Sequence, residues 1–198
     1  MTGLSIVGVS GNVTRPSRSS ALVGAVLDAL QSRVDADLKL IELVDAAPMF
    51  LSALTADRLD SDGKSLIRSI EAADLIVVGT PVYRASYTGA LKHLFDLVRH
   101  DAFIGKPVIL TATGGSQLHG LVTEHQLRPL FGFFNAFTLP TAVYATEADY
   151  RDYRVASPAV HDRIERAVTE AVGVLKARLA VTFGSPARAA RLPAAATA

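Results

Sequence analysis

The chain has 198 residues, 49% of them hydrophobic and 20% charged, with 20 Lys+Arg against 19 Asp+Glu and no cysteine. This is enough for one domain with a sizeable core and excludes disorder as the main state. The formal charge of +1 excludes a dedicated nucleic-acid binder, and the absence of Cys excludes disulfides, thiolate nucleophiles and Cys-ligated zinc or iron–sulfur centres.

Taken in chain order, apolar runs of strand character alternate with stretches of helical period. Leu4–Val9 reads as a strand, ending at Ser10-Gly11-Asn12. From Ser19 the period changes, and Leu22, Val23, Val26, Leu27 and Leu30 fall on one helical face. Leu38–Leu43 reads as a second strand running into a loop that contains Pro48, and Leu59, Leu66, Ile67 and Ile70 mark a helix. Leu75–Val78 is a continuous apolar run, the pattern of a strand buried on both faces, closed by Gly79-Thr80-Pro81. Tyr87, Leu91, Leu94, Phe95 and Val98 predict the next helix, Pro107–Leu110 a fourth strand, residues 117–134 a helix, and Phe137–Tyr144 a fifth strand. Ser157 and Pro158 suit the N-cap and first position of a last helix, striped by Ile164, Val168, Val172, Leu175 and Leu179.

The 117–134 helix carries an anomaly of its own. Leu118, Leu121, Val122 and His125 set one phase, whereas Leu127, Leu130, Phe131 and Phe134 continue one residue out of step. Pro129 also lacks the N–H that would bond the His125 carbonyl. One extra residue in a helix predicts a π-bulge. The aromatic group Phe131, Phe133, Phe134 and Phe137 fits either a large monomer core or a subunit interface.

Alternating strands and helices require right-handed crossovers and a parallel sheet covered on both faces. The fold class expected is therefore α/β: a flavodoxin-like three-layer α/β/α sandwich with a five-stranded parallel sheet in the order 2-1-3-4-5. A single domain over residues 1–180 is expected, followed by an Ala/Arg/Pro-rich tail over 181–198, read as mobile. No apolar run reaches 18 residues and the N-terminus lacks a basic n-region and apolar h-region, so a cytoplasmic protein with no membrane partner is expected.

Ligands of such sheets bind beyond the carboxyl ends of the strands, near the switch in strand order. The loop after the first strand, Ser10 to Ser20, is longer than the usual roughly 2–6 residues and offers hydroxyls, Arg15 and Arg18 before a helix N-terminus, a donor set for phosphate. The loop after the third strand, Thr80 to Gly89, has Pro81, Tyr83 and Tyr87 for a flat wall, and Thr113-Gly114-Gly115-Ser116 lets backbone approach a ligand closely. A P-loop is excluded because Arg58 stands where the first glycine before Gly63-Lys64-Ser65 belongs, and Gly8 and Gly11 have the wrong spacing for a dinucleotide fingerprint. A receiver domain is excluded because Gly79-Thr80 ends the third strand where that fold needs an Asp. The histidines show no metal-ligand spacing, and no metal is expected.

Together these loops resemble the NAD(P)H-dependent FMN reductase family over residues 4 to about 180. The motifs are Ser10, Ser17, Arg18 and Ser19 in S-x(6)-S-R-S, Thr80 to Tyr83 in T-P-V-Y, Ser86 to Lys92 in S-Y-T-G-A-L-K, and Thr113 to Gly115 in T-G-G. Within the family the chain looks most like the reductase component of two-component alkanesulfonate and methanesulfonate monooxygenase systems. Asn12 departs from the Arg of many relatives, leaving Arg15 or Arg18 to supply that charge. The resemblance implies FMN and NADH or NADPH. Ser10, Ser17, Arg18 and Ser19 would hold the FMN phosphate, Pro81, Val82 and Tyr83 would lie beside the ring, and Thr113, Gly114, Gly115 and Ser116 would lie along its polar edge. No catalytic side chain is expected, because hydride transfer belongs to the cofactor. Tyr87, Lys92 and Asp96 would be structural or interfacial. The family's sulfonate-linked members carry a π-helix at a subunit interface near the flavin, which implies a role for His125 in flavin exchange or in a homodimer or homotetramer. The partner implied is a flavin-dependent monooxygenase receiving reduced FMN. The competing readings are an FMN-containing quinone or azo reductase and a flavodoxin-like electron carrier.

Overall fold

A computed structural model describes residues 3–183. Five parallel strands form the sheet: β1 (Leu4–Ser10), β2 (Ala36–Glu42), β3 (Leu75–Pro81), β4 (Pro107–Gly114) and a fifth position made by two short pieces, β5 (Phe137–Thr138) and β6 (Val143–Thr146), both paired with β4. The order β2-β1-β3-β4-β5 is the one expected. Helices α1 (Arg18–Gln31) and α6 (Pro158–Phe183) cover one face. Helices α2 (Leu43–Phe50), α3 (Ser61–Ala72), α4 (Gly89–Asp96) and α5 (Arg128–Phe133) cover the other. A hairpin, β7 (Tyr150–Arg151) and β8 (Arg154–Val155), precedes α6. Of the expected tail, Val181 to Phe183 fall in α6 and the rest lies outside the described residues.

The strands alternate between two cores, as a period of two requires. Ile6, Leu75, Val77 and Ile109 meet α1 and α6. Val7, Val9, Ile76, Val78, Val108 and Leu110 meet the helices of the opposite face. On that face Phe95, Phe103, Phe131 and Phe134 form one aromatic cluster, with centroids of Phe95 and Phe131 4.9 Å apart. The four phenylalanines read together in the sequence therefore divide: Phe131 and Phe134 are core, and Phe133 and Phe137 are exposed.

Three readings need correction. The region around Pro48 is helical: Leu43, Ala46 and Phe50 recur at helical spacing and are buried, and the helix ends two residues after the proline. The fifth strand is broken at Leu139–Ala142. There Pro140 has no N–H to donate, and side chains take over the backbone groups. Thr141 N donates to Glu170 Oε2 (2.9 Å), Arg128 Nη1 to the Leu139 carbonyl (3.0 Å) and Arg163 Nε to the Ala142 carbonyl (2.5 Å). The 117–134 segment is three pieces: a 3-10 helix at Gln117–Leu121, a π-helical turn at Thr123–Leu127, and α5. The Arg128 N–H reaches the Thr123 carbonyl, five residues back, and this extra residue brings Leu127, Phe131 and Phe134 into the core. Leu118 and Leu121, read as part of the first phase, are instead exposed. Among the described residues no helix is long and apolar enough to cross a membrane.

Helix α1 lies so close to the sheet that side chains are excluded beneath it. A Cβ at Gly8 would stand 2.8 Å from Leu27 Cδ1 and from Val23 Cγ1. One at Gly79 would collide with Val23 and lie 2.6 Å from Thr111 Oγ1. Gly79→Ala is accordingly expected to destabilise the protein by about 1–3 kcal/mol through overpacking, read as a lower urea midpoint at unchanged m-value.

Candidate functional site

The carboxyl ends of β1, β3 and β4 carry three loops that are bonded to one another. Gly11 N donates to the Gly79 carbonyl (2.7 Å), joining the first loop to β3. Thr88 N donates to Thr80 Oγ1 (3.2 Å) and Thr88 Oγ1 donates to the Gly11 carbonyl (2.7 Å). That same Thr88 hydroxyl caps α4 by accepting from Leu91 N (3.2 Å). Val82 N donates to the Thr113 carbonyl (2.8 Å), and the hydroxyls of Ser19 and Thr113 lie 2.5 Å apart.

Within the first loop the organising side chain is Asn12. Its Oδ1 accepts from Ser10 Oγ (2.7 Å) and from Ser20 Oγ (2.7 Å), and its Nδ2 donates to the Thr14 carbonyl (2.9 Å). The Arg15–Pro16 peptide is cis. Ser17 is the N-cap of α1, its hydroxyl accepting from Ser20 N (3.1 Å). The amides of Arg18 and Ser19, in the first turn, have no intrahelical acceptor, the donor arrangement to which an anion is suited.

A pocket of about 270 Å³ opens between these loops. Nine residues singled out in the sequence line it together: Ser17, Arg18 and Ser19 at one end, Pro81, Val82 and Tyr83 along one wall, and Thr113, Gly114 and Gly115 along another. Two do not. Ser10 is fully buried beneath Asn12. Ser116 turns away to cap the 3-10 helix, its Oγ accepting from Leu118 N (3.2 Å) and its carbonyl accepting from the Tyr144 hydroxyl (2.5 Å). His125 sits in the π-helical turn and lines a neighbouring cleft of about 170 Å³ with His119, Leu121 and Gln126. The two hollows share Val82. Of the two candidate arginines, Arg15 pairs with Glu42 (2.7 Å) and Asp45 outside the pocket, whereas Arg18 lies in its lining. Lys92 pairs with Asp96 along α4, and Tyr87 packs half-buried just before that helix.

The sequence reading missed Asn12 as an organiser and also missed Thr146, Glu147 and Tyr153, which complete the end of the pocket at the α1 terminus. Glu147 pairs with Arg18, whose guanidinium carbon lies 5.1 Å from the centre of the Tyr153 ring. Thr146 and Asp149 form a reciprocal capping box around Glu147, with Thr146 N donating to Asp149 Oδ2 (2.7 Å). Tyr153 is presented by the β7–β8 turn, where Asp152 (φ 48°) and Tyr153 (φ 59°) take left-handed conformations. The wall at Tyr83 ends in a similar turn: Arg84 (φ 51°) and Ala85 (φ 66°) lie between Tyr83 and Ser86, whose backbones exchange two hydrogen bonds. This is a hairpin turn of type I′ built without glycine or asparagine.

The donor set fits a phosphate monoester at the α1 terminus: first-turn amides, the Ser17 hydroxyl and one guanidinium. Pro81, Val82 and the half-exposed Tyr83 offer a flat apolar wall suited to a planar ring. A Cβ at Gly115 would meet no atom within 4 Å, so the backbone of that turn is open to a ligand's polar edge. Among the described residues no three His, Asp or Glu side chains converge for a metal ion.

Burial pushes the Asp149 carboxyl up, but its bonds from Thr146 N–H, the Thr146 hydroxyl and Ser157 outweigh this and hold it below its ordinary value. Ionised Asp149 therefore stabilises the turn above the usual carboxylate range, and that contribution is lost as pH falls through its lowered native value. Asp149→Asn is expected to cost about 0.5–2 kcal/mol at neutral pH and to make thermal stability less sensitive to acidification between about pH 5 and pH 3, as followed by circular-dichroism melts.

A family model for NADPH-dependent FMN reductase matches residues 4–150. An NADH-dependent FMN reductase of Pseudomonas fluorescens, SfnF, is 48% identical over 168 residues, covering 85% of this chain and 90% of that protein. An FMN reductase (NADPH) of Pseudomonas aeruginosa is 44% identical over 173 residues, covering 87% and 93%. Among solved structures, an oxidoreductase of Corynebacterium diphtheriae superposes with a TM-score of 0.80 at 29% identity, covering 89% of this chain and 99% of that one.

Proposed function

The chain belongs to the NADPH-dependent FMN reductase family, and from that premise we propose that it transfers hydride from NADH or NADPH to FMN in the pocket described above and releases the reduced flavin to a flavin-dependent monooxygenase. The observation that carries this reading is the convergence of nine residues, each marked by loop pattern and motif, on one pocket at the carboxyl edge of β1, β3 and β4. A single domain over residues 1–180 carries the activity.

The bound flavin supplies the hydride-accepting ring, and the protein supplies position and environment. The amides of Arg18 and Ser19, the Ser17 hydroxyl and the Arg18 guanidinium hold the phosphate. The hydrogen bond between Ser19 and Thr113 fixes that end relative to β4, so phosphate anchoring also sets how far the ring reaches along the pocket. Pro81, Val82 and Tyr83 exclude water from one side of the ring. The backbone of Thr113 to Gly115 addresses its polar edge. The one carboxylate among its lining residues, Glu147, pairs with Arg18.

Self-association fits the exposed apolar residues Leu118, Leu121 and Phe133, of which Leu118 is 88% and Phe133 70% exposed. We propose a homodimer or homotetramer in which the π-helical turn and His125 lie near the contact, and sulfonate oxygenation as the partner's chemistry. The latter is supported by the motif pattern of the loops.

Flavin-stripped protein should oxidise NADH or NADPH, followed at 340 nm, with saturating dependence on FMN, and under anaerobic conditions reduced FMN should accumulate beyond enzyme equivalents. Retention of FMN with ping-pong turnover of a quinone or azo dye would instead mark the quinone or azo reductase reading. FMN binding without nicotinamide oxidation would mark an electron carrier. Arg18→Ala should raise the Kd for FMN about tenfold or more, the loss of one charge-assisted bond. Riboflavin, which lacks the phosphate, should bind the variant as it binds the wild type.

A further inference from the structure

The pocket has one cationic and one anionic side chain among its lining residues, Arg18 and Glu147, and in this structure they are paired with each other. The pair joins the first residue of α1 to the turn after β6, so both charges stand at the end of the pocket where the anion-binding amides lie. Glu147 combines a fixed backbone with a free side chain. The Thr146–Asp149 capping box holds its main chain, while its carboxylate is 72% exposed and has Arg18 as its one salt-bridge partner among the described residues. Arg18 has a second support that does not depend on Glu147, the ring of Tyr153.

We propose that Glu147 sets the affinity for FMN. Its carboxylate occupies the Arg18 guanidinium in the free protein, must yield it to the incoming phosphate, and remains nearby as a like charge once the phosphate is seated. The inference rests on the assignment of FMN to this pocket, and it gives that reading a device for product release. A phosphate monoester carries about −1.5 to −2 charges at neutral pH, so a tethered carboxylate opposes it twice, by competing for the cation and by repulsion. The alternative role for Glu147 is to pre-orient Arg18, which would strengthen binding. The Tyr153 ring already provides that orientation, and the exposure of Glu147 means little is lost when it swings out. The two roles predict opposite signs for the same substitution.

The test is titration of flavin-stripped full-length protein with FMN and, separately, with riboflavin, read by quenching of flavin fluorescence. Glu147→Gln should lower the Kd for FMN about two- to fivefold, slow FMN dissociation in stopped flow, and leave riboflavin affinity unchanged. The gain should shrink as salt rises and disappear in the Arg18→Ala background, since the competition acts through that guanidinium. Glu147→Asp, which keeps the charge, should stay near wild type. Glu165→Gln, which removes a carboxylate on α6 paired with Arg33 in the turn after α1 and outside the pocket lining, should change neither affinity. An unchanged or weaker FMN affinity in Glu147→Gln, with a melting temperature matching wild type, would overturn the inference. So would a gain shared equally by riboflavin. Failure of the wild-type protein to bind FMN, or to prefer it over riboflavin, would overturn the assignment of the pocket itself.

Discussion

The close approach of α1 to the sheet is the constraint on which the site depends. With no side chain at Gly8 or Gly79, Val23 and Leu27 settle directly onto the backbones of β1 and β3. That packing delivers the first turn of α1 to the carboxyl edge of the sheet. The hydrogen bond from Gly11 to the Gly79 carbonyl and the contact of Ser19 with Thr113 then fix it laterally against β3 and β4. A helix held a few ångströms further out would present the same amides and hydroxyls to solvent rather than to a pocket. The presentation of the α1 amides to the pocket is thus a property of core packing as much as of loop composition.

Directional donors, rather than a strong field, make this site. The chain carries a formal charge of +1, and the single arginine in the pocket lining is matched by a single glutamate. A polyanion-binding protein would gather several cations here. Here the other nearby arginine, Arg15, is spent on Glu42 and Asp45 outside the pocket. Asn12 takes the place of a further charge with a neutral hub that gathers Ser10, Ser20 and Thr14. Hydrogen-bonded neutral groups hold their geometry with or without an anion present, whereas clustered cations would repel one another and loosen the loop.

Much of this is legible in the sequence, for physical reasons that can be named. The strands β1, β3 and β4 are buried on both faces and so appear as unbroken apolar runs. The order of the sheet follows from the crossover rule. The π-helical turn falls just before Pro129, which lacks the N–H that would bond the His125 carbonyl, whereas the first apolar phase read ahead of it is not a core face, since Leu118 and Leu121 are exposed. What the sequence hides lacks a period. Helix α2 spans two turns and contains a proline, and β7 and β8 have two residues each. Thr146, Glu147 and Tyr153 come from such short pieces and the turns beside them, and their place in the pocket depends on long-range packing rather than on local pattern. Ser10 and Ser116 fall outside the pocket lining, which sequence pattern does not foretell because hydroxyls in a polar loop look alike. Whether one faces a ligand or a neighbouring amide depends on a single dihedral angle.

The turn at Tyr83–Ser86 is hidden for a different reason, and its chemistry says more about the site. Type I′ turns are signalled by Asn-Gly or Asp-Gly, because both central residues take positive φ. Here Arg84 and Ala85 do so, at a cost of order 1–3 kcal/mol each. Such a turn persists only where its surroundings over-determine it. Val82 is bonded to Thr113 on one side, the backbones of Tyr83 and Ser86 are paired across the turn, and Ser86 Oγ donates to Gln126 in the π-helical turn (3.1 Å). The strained turn is therefore the rigid link between the wall of the main pocket and the cleft that holds His125. A glycine pair would relieve the backbone but widen the range of conformations open to Val82 and Tyr83. Non-glycine residues at positive φ trade stability for one fixed wall position, which is set before any ligand enters.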